Sequence, residues 1–215
     1  MVDIEKIEKR TIQSFYEDGL TEIALSIILF LLGGYFVAQA VVPDNSRWGA
    51  ELSGLFILVI VSAAFLVNRL LRFLKRRITY PRTGYVTFKK KEPSRMRRIA
   101  TAAVAMIISG SLAALYSISP SLKVLYPAVN GLLFAVAVLL VANKVGLARF
   151  FVLSAASAVI GLAVTVAGIG DLKGIGVYYL FFGAAVLVSG LVALVVYIRR
   201  FPRPSPDASE GPDAR

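Results

Sequence analysis

Six stretches of about 20 mostly apolar residues constrain this chain more than any other feature of it. They run Leu20–Val42, Leu52–Phe73, Ile99–Ser117, Leu122–Ala142, Leu147–Ile169 and Ile175–Ile198. A helix rises about 1.5 Å per residue, so each stretch covers the roughly 30 Å of a bilayer's hydrocarbon core. The alternative, burial of all six in one soluble core, fails on area. Of 215 residues, 57% are apolar and only 17% are charged, and a domain of this size still leaves a large share of its surface in water. The fold class is therefore an all-α integral membrane protein with six transmembrane helices.

The basic residues orient it. With the N-terminus inside, 21 of the 24 Lys and Arg fall on the cytoplasmic side, twelve of them between Arg69 and Arg98. Only Arg47, Lys123 and Lys173 fall outside. Such a bias sets topology, so both termini are expected in the cytoplasm and the chain in the cell (inner or plasma) membrane. The formal charge of +11 is mostly this bias. Aromatic rings favour the two interfaces. Trp48, Tyr116, Tyr126, Tyr178 and Tyr179 are expected at the outer one, and Phe73, Phe150, Phe151 and Tyr197 at the inner one. A rival reading takes Ala38-Gln39-Ala40 as a signal-peptide cleavage site, but the leader before it is acidic where a positive one is required.

The chain divides into a cytoplasmic amphipathic segment (1–19), a transmembrane hairpin (20–73), a basic cytoplasmic loop (74–98), a four-helix block (99–198) and a Pro-rich, disordered tail (199–215). Ser121-Leu122-Lys123 and Asp171-Leu172-Lys173 open the fourth and sixth spans alike, and hint at a repeated hairpin. Any two bilayer hairpins share as much.

Missing residue types exclude chemistry. Zero Cys and zero His remove thiol redox, iron–sulfur ligation, the commonest base near neutral pH and the commonest zinc and haem ligand. Ser109-Gly110-Ser111 has the look of a nucleophile turn without a base. No catalytic residue, metal site or cofactor is assigned.

Four features remain. Ile4, Ile7, Ile12 and Phe15 line one face of Val2–Tyr16, which reads as an amphipathic helix in the inner interface. Asp18 and Glu22, four apart, share a face at the start of the first span. They complement the helix dipole, pair with the basic loop, or form a cation or proton site. An ion pair between one of them and a cation of Arg69–Arg98 is the sharpest expectation. The loop RRITYPRTGYVTFKKK alternates β-formers around Pro81–Gly84, which predicts a short cytoplasmic β-hairpin over Thr79–Lys89 between helices 2 and 3. With Arg76, Arg77, Tyr80, Arg82 and Tyr85, it completes a candidate cytoplasmic-face cluster suited to anionic headgroups. Nucleic acid is not expected. Within the spans Asn130 is the candidate polar site, read as an interhelical hydrogen bond, with Pro127 as a kink. The stripes Ser157–Gly161–Thr165 and Ala185–Ser189–Ala193 read as packing seams.

The segments Glu17-Asp18-Gly19-Leu20 and Lys75-Arg76-Arg77-Ile78-Thr79-Tyr80-Pro81-Arg82-Thr83-Gly84-Tyr85-Val86 resemble those of uncharacterised prokaryotic multi-pass membrane proteins. The resemblance covers about the first 90 residues and implies no activity. The functional expectation is a structural or regulatory protein whose basic cytoplasmic face contacts anionic lipid, a second copy of itself or another membrane protein. A small oligomeric transporter or channel is the alternative. A dry bundle favours the first, a polar cavity the second.

Overall fold

The computed structural model describes residues 13, 16–42, 47–79 and 120–202. Five α-helices occupy them: α1 (Leu20–Val41), α2 (Arg47–Leu74), α3 (Tyr126–Val145), α4 (Ala148–Val166) and α5 (Asp171–Arg200). A π-helical turn, Lys75–Thr79, extends α2, and a 3-10 stretch, Pro120–Leu125, leads into α3. Among the described residues there is no strand. Among the described residues, four helical stretches, Leu20–Val41, Lys123–Val145, Ala148–Val166 and Asp171–Arg200, are long and apolar enough to cross a membrane.

The antiparallel pair α1–α5 forms the most extensive interface. Its sequence basis is a heptad of small residues. Gly19, Ser26 and Gly33 lie seven apart, as do Gly176, Gly183 and Gly190. The two series meet in opposite order. A methyl on Gly190 would lie 2.9 Å from the Gly19 carbonyl oxygen and from the Ile23 nitrogen. One on Gly183 would meet Leu29 Cβ at 3.2 Å, and one on Gly176 the Val37 nitrogen at 2.8 Å. A seven-residue repeat keeps one seam in register along two supercoiled helices, and small residues let their backbones close. Gly19 is required twice over: its φ is +67°, and a side chain there would strike the Gly190 carbonyl.

A second close crossing joins α3 to α4. A methyl on Gly131 would meet Gly161 Cα at 2.8 Å. The Ser157–Gly161–Thr165 stripe lies along this seam. Ser157 Oγ donates to the Gly131 carbonyl at 2.8 Å, and Thr165 Oγ1 accepts the Ala128 N–H at 3.0 Å. The second bond satisfies one of the N–H groups that a helix start leaves without an intrahelical partner.

These contacts give the bundle two ends. The start of α1, the end of α2 with Lys75–Thr79, the end of α3, the start of α4 and the end of α5 share one of them. It carries Lys75, Arg76, Arg77, Lys144, Arg149, Arg199 and Arg200, and is called here the basic end. The far end holds the starts of α3 and α5, where Lys123 Nζ lies 3.8 Å from Asp171 Oδ2.

Several expectations need correction. Tyr126, Tyr178, Tyr179, Phe150 and Tyr197 are buried in the bundle and do not form interface belts; Phe73 and Phe151 are exposed. Tyr178 and Tyr179 find ring and hydroxyl partners there: Tyr178 stacks on Phe182 at 5.8 Å between centroids, and Phe36 on Tyr179 at 5.9 Å. Pro127 does not kink a span. It lies in the first turn of α3, where its missing N–H costs nothing. Thr79, the first residue assigned to the β-hairpin, ends a helical turn, so no strand begins there; 80–89 lie outside the described residues. So do most of the amphipathic segment (1–12, 14–15), the span Ile99–Ser117, on which the repeat depends, and the tail 203–215.

Candidate functional site

Among the described residues, the charged side chains that the fold buries, Asp18, Glu22 and Lys75, cluster at the basic end. The chain enters α1 through Gly19 in a left-handed conformation. Asp18 is thereby set just ahead of the first turn, where its Oδ1 accepts the Leu20 N–H at 3.2 Å. Its Oδ2 faces the end of α2. Thr79 Oγ1 donates to it at 2.9 Å and Lys75 Nζ lies 3.4 Å away. The side chain of Asp18 is wholly buried and that of Lys75 is 7% exposed. Asp18 thus both meets the dipole of α1 and pairs with a cation of the 69–98 segment. Burial pushes the Lys75 ammonium below its ordinary value, and the Asp18 carboxylate partly opposes that shift. Both end residues of the π-helical turn Lys75–Thr79, four apart and so on one face, reach the same carboxylate oxygen.

Glu22 stands one turn further into α1 and is 2% exposed. Arg149, in the first turn of α4, places its Nε 2.8 Å from Glu22 Oε1. The contact is ionic, because the two atoms are not aligned as a hydrogen bond. Ser189 of α5 donates its hydroxyl to Glu22 Oε2 at 3.1 Å. Arg149 also donates through Nη2 to the Tyr16 carbonyl, and its guanidinium stands 5.5 Å from the centre of the Phe150 ring. Two carboxylates separated by one helical turn therefore tie α1 to α2, α4 and α5.

The other candidate residues divide. Arg76 and Arg77 are exposed beside this cluster, and the Arg77 guanidinium lies 5.4 Å from the Phe73 ring centre. Neither reaches Asp18 or Glu22 in an ion pair among the described residues. Tyr80, Arg82 and Tyr85 lie outside the described residues. Asn130 is 4% exposed and accepts, through Oδ1, the Tyr179 hydroxyl at 3.3 Å. Beside it Ser157 and the Tyr178 hydroxyl are 2.7 Å apart. This is a buried polar seam between α3, α4 and α5.

Sequence reasoning missed Arg149 and Ser189 as partners of Glu22. Arg149 was legible only as one cytoplasmic cation among many, and Ser189 only as a small residue of a stripe. On the i, i+4 stripe of α5, Ser189 and Ala193 face α1, Ser189 through its bond to Glu22 and Ala193 with its Cβ 2.8 Å from where a methyl on Gly19 would lie. The tightest backbone approaches are at Gly176, Gly183 and Gly190, and Ala185, Ser189 and Ala193 also border a groove against α4.

Chemically, the cluster pairs acids with bases in a water-poor setting. Among the described residues no group of three or more carboxylates comes together to hold a metal ion. Against known proteins, no family model, no curated protein and no solved structure matches the chain.

Proposed function

We propose that this chain is a multi-pass membrane protein that acts as a structural or regulatory element through its basic end, which faces the cytoplasm. The observation that carries this reading is the burial of Asp18 and Glu22, each tied to a cation from a distant part of the chain. A carboxylate serving ion movement needs access to water or a polar path. Here Asp18 is fully buried and Glu22 nearly so. The groove nearest to Glu22 is lined almost wholly by apolar side chains. The pairs act as clamps that hold the ends of α2, α4 and α5 against α1, and so present Arg76 and Arg77 on a fixed surface.

The same geometry supports a sixth crossing. The described chain stops at residue 79 at the basic end and resumes at residue 120 at the far end. A segment joining opposite faces of a bilayer has to traverse it, and Ile99–Ser117 is the apolar stretch available. Six crossings put both termini on the basic side, which the positive-inside bias assigns to the cytoplasm.

Two measurements test the reading. A reporter fused after Arg215 should read cytoplasmic; a periplasmic or external signal overturns the orientation. Vesicles containing the purified chain should hold imposed proton, sodium and potassium gradients as long as empty vesicles do. A leak that Glu22→Gln abolishes would replace the clamp with a transport site.

A further inference from the structure

The groove between α4 and α5 has a shape and a charge distribution of its own. It occupies about 670 Å³ and opens on the outside of the bundle. Val152 and Ala156 line one wall, and Ala185, Val188 and Val192 the other. Its long wall runs from Ala184 to Val196, about 18 Å at 1.5 Å per residue. One leaflet of hydrocarbon is about 15 Å deep, half of the roughly 30 Å core. The groove thus spans one leaflet, on the basic side, and no more. Val152 and Val188 are 68% and 60% exposed, so the described residues leave this apolar surface open.

Arg149 stands at the basic mouth of the groove. Its Nε faces Glu22, and one Nη2 proton is used by the Tyr16 carbonyl. A guanidinium has five N–H donors, and its planar fork suits phosphate oxygens. Among the described residues, donors therefore remain at the basic mouth of the groove. Arg199 and Arg200, exposed in the last turn of α5, follow within a turn of Val196. An apolar slot one leaflet deep with a guanidinium at its headgroup end is complementary to an anionic phospholipid: a chain for the slot and a phosphate for Arg149.

We propose that the α4–α5 groove is a binding site for an anionic phospholipid of the cytoplasmic leaflet, with one acyl chain along Val152, Ala156, Val188 and Val192 and the phosphate at Arg149. The inference rests on the membrane reading above and names the lipid contact of its basic end. Arg149 is then shared between Glu22 and the lipid, so the lipid joins the clamp from outside and favours the same closed arrangement of α1, α4 and α5.

The test uses the full chain with its single tryptophan removed (Trp48→Phe) and a new one at Val188, or in a second variant at Val192. A control variant carries Val136→Trp, on the exposed face of α3 at comparable depth. Each is reconstituted in equimolar phosphatidylglycerol and phosphatidylcholine, with only one of the two brominated along its acyl chains. Quenching at both groove positions should favour the brominated anionic lipid about fivefold, the preference one cation confers near a charged leaflet. The control should be quenched equally by both lipids. Quenching without preference at the groove positions overturns the anionic assignment. A quenched control beside unquenched groove positions shows protein over the groove, from elsewhere in the chain or a second copy, and overturns the site. An unquenched control overturns the membrane reading itself, a result distinct from either.

Discussion

Arg149 Nε lies 2.8 Å from Glu22 Oε1 across 127 residues of sequence, and the contact joins the first turn of α4 to the first turn of α1. Neither partner could be left there alone. A carboxylate among apolar helices without a cation would carry a large desolvation cost, and so would a guanidinium without an anion. Ser189 supplies Glu22 with a further donor and the Tyr16 carbonyl supplies Arg149 with a further acceptor. Pairs satisfied in this way specify one arrangement of helices, since any sliding of α4 along α1 separates the charges.

The two side chains should therefore contribute to stability as a pair, not independently. Glu22→Gln and Arg149→Leu should each destabilise the protein by about 3–5 kcal/mol, the range for buried pairs that lose one partner. The double variant should lose less than the sum of the two, with a coupling of about 0.5–3 kcal/mol. Unfolding in mild detergent micelles under a denaturant gradient measures all four corners of the cycle. Additive losses would show that the two side chains act independently.

The α1–α5 seam makes a prediction with a built-in contrast. Gly190→Ala places a methyl 2.9 Å from backbone atoms of Gly19 and Ile23, which cannot move aside without parting the helices. A loss of about 1–3 kcal/mol is expected, as for other overpacked sites. Gly34→Ala, on the same helix pair, meets nothing within 4 Å. It should be neutral or stabilising by up to about 1 kcal/mol, the gain in helix propensity. Melting temperatures of the two variants in one detergent separate the cases.

Much of this architecture was legible in the sequence because bilayer thickness acts directly on chain length. The expected ends of the first span match α1 to one residue: Leu20–Val42 against Leu20–Val41. The partner of Asp18 was also legible as a class, since a buried carboxylate beside a run of cations has few other solutions. What was not legible is which helix lies beside which. The Gly19–Ser26–Gly33 and Gly176–Gly183–Gly190 series were visible as spacings, but a search at four-residue intervals passes over a seven-residue period. The buried tyrosines mislead for a related reason. A ring near the end of an apolar stretch is compatible with an interface belt and with a core, and only the hydroxyl partners Ser157 and Asn130, on other helices, decide for the core.

Those hydroxyl partners can be weighed individually. Tyr178→Phe removes one hydrogen bond while keeping the ring that stacks on Phe182. It should cost about 0.6 kcal/mol and no more than about 1.7, the measured span for polar contacts between membrane helices. Ser157→Ala should cost more, because it removes both the bond to Tyr178 and the bond to the Gly131 carbonyl. Equal losses in thermal unfolding would mean that the Gly131 contact contributes nothing to holding α3 against α4.

Lys75 should give the clamp a pH signature whose sign follows from its burial. Its ammonium titrates in the folded protein below the ordinary value of 10.5, chiefly through burial, with Asp18 acting in the opposite sense. The unfolded chain therefore holds this proton over a pH range in which the folded protein has released it. Wherever the unfolded state binds more protons, stability rises with pH. Lys75 thus contributes an increase in unfolding free energy as pH climbs from the lowered folded value toward 10.5. Below that range the folded state carries the full cost of a buried cation, offset by Asp18 and the Thr79 hydroxyl nearby. Lys75→Met removes the titration altogether, so the difference between wild type and variant, followed by thermal unfolding across alkaline pH, should move in favour of wild type as pH rises. Other groups that titrate there, the tyrosines included, cancel in that difference. A difference that stays flat would mean that Lys75 titrates alike in the folded and unfolded chains. A difference that moves toward the variant would mean that pairing with Asp18 outweighs burial, and that the clamp is strongest when Lys75 is charged.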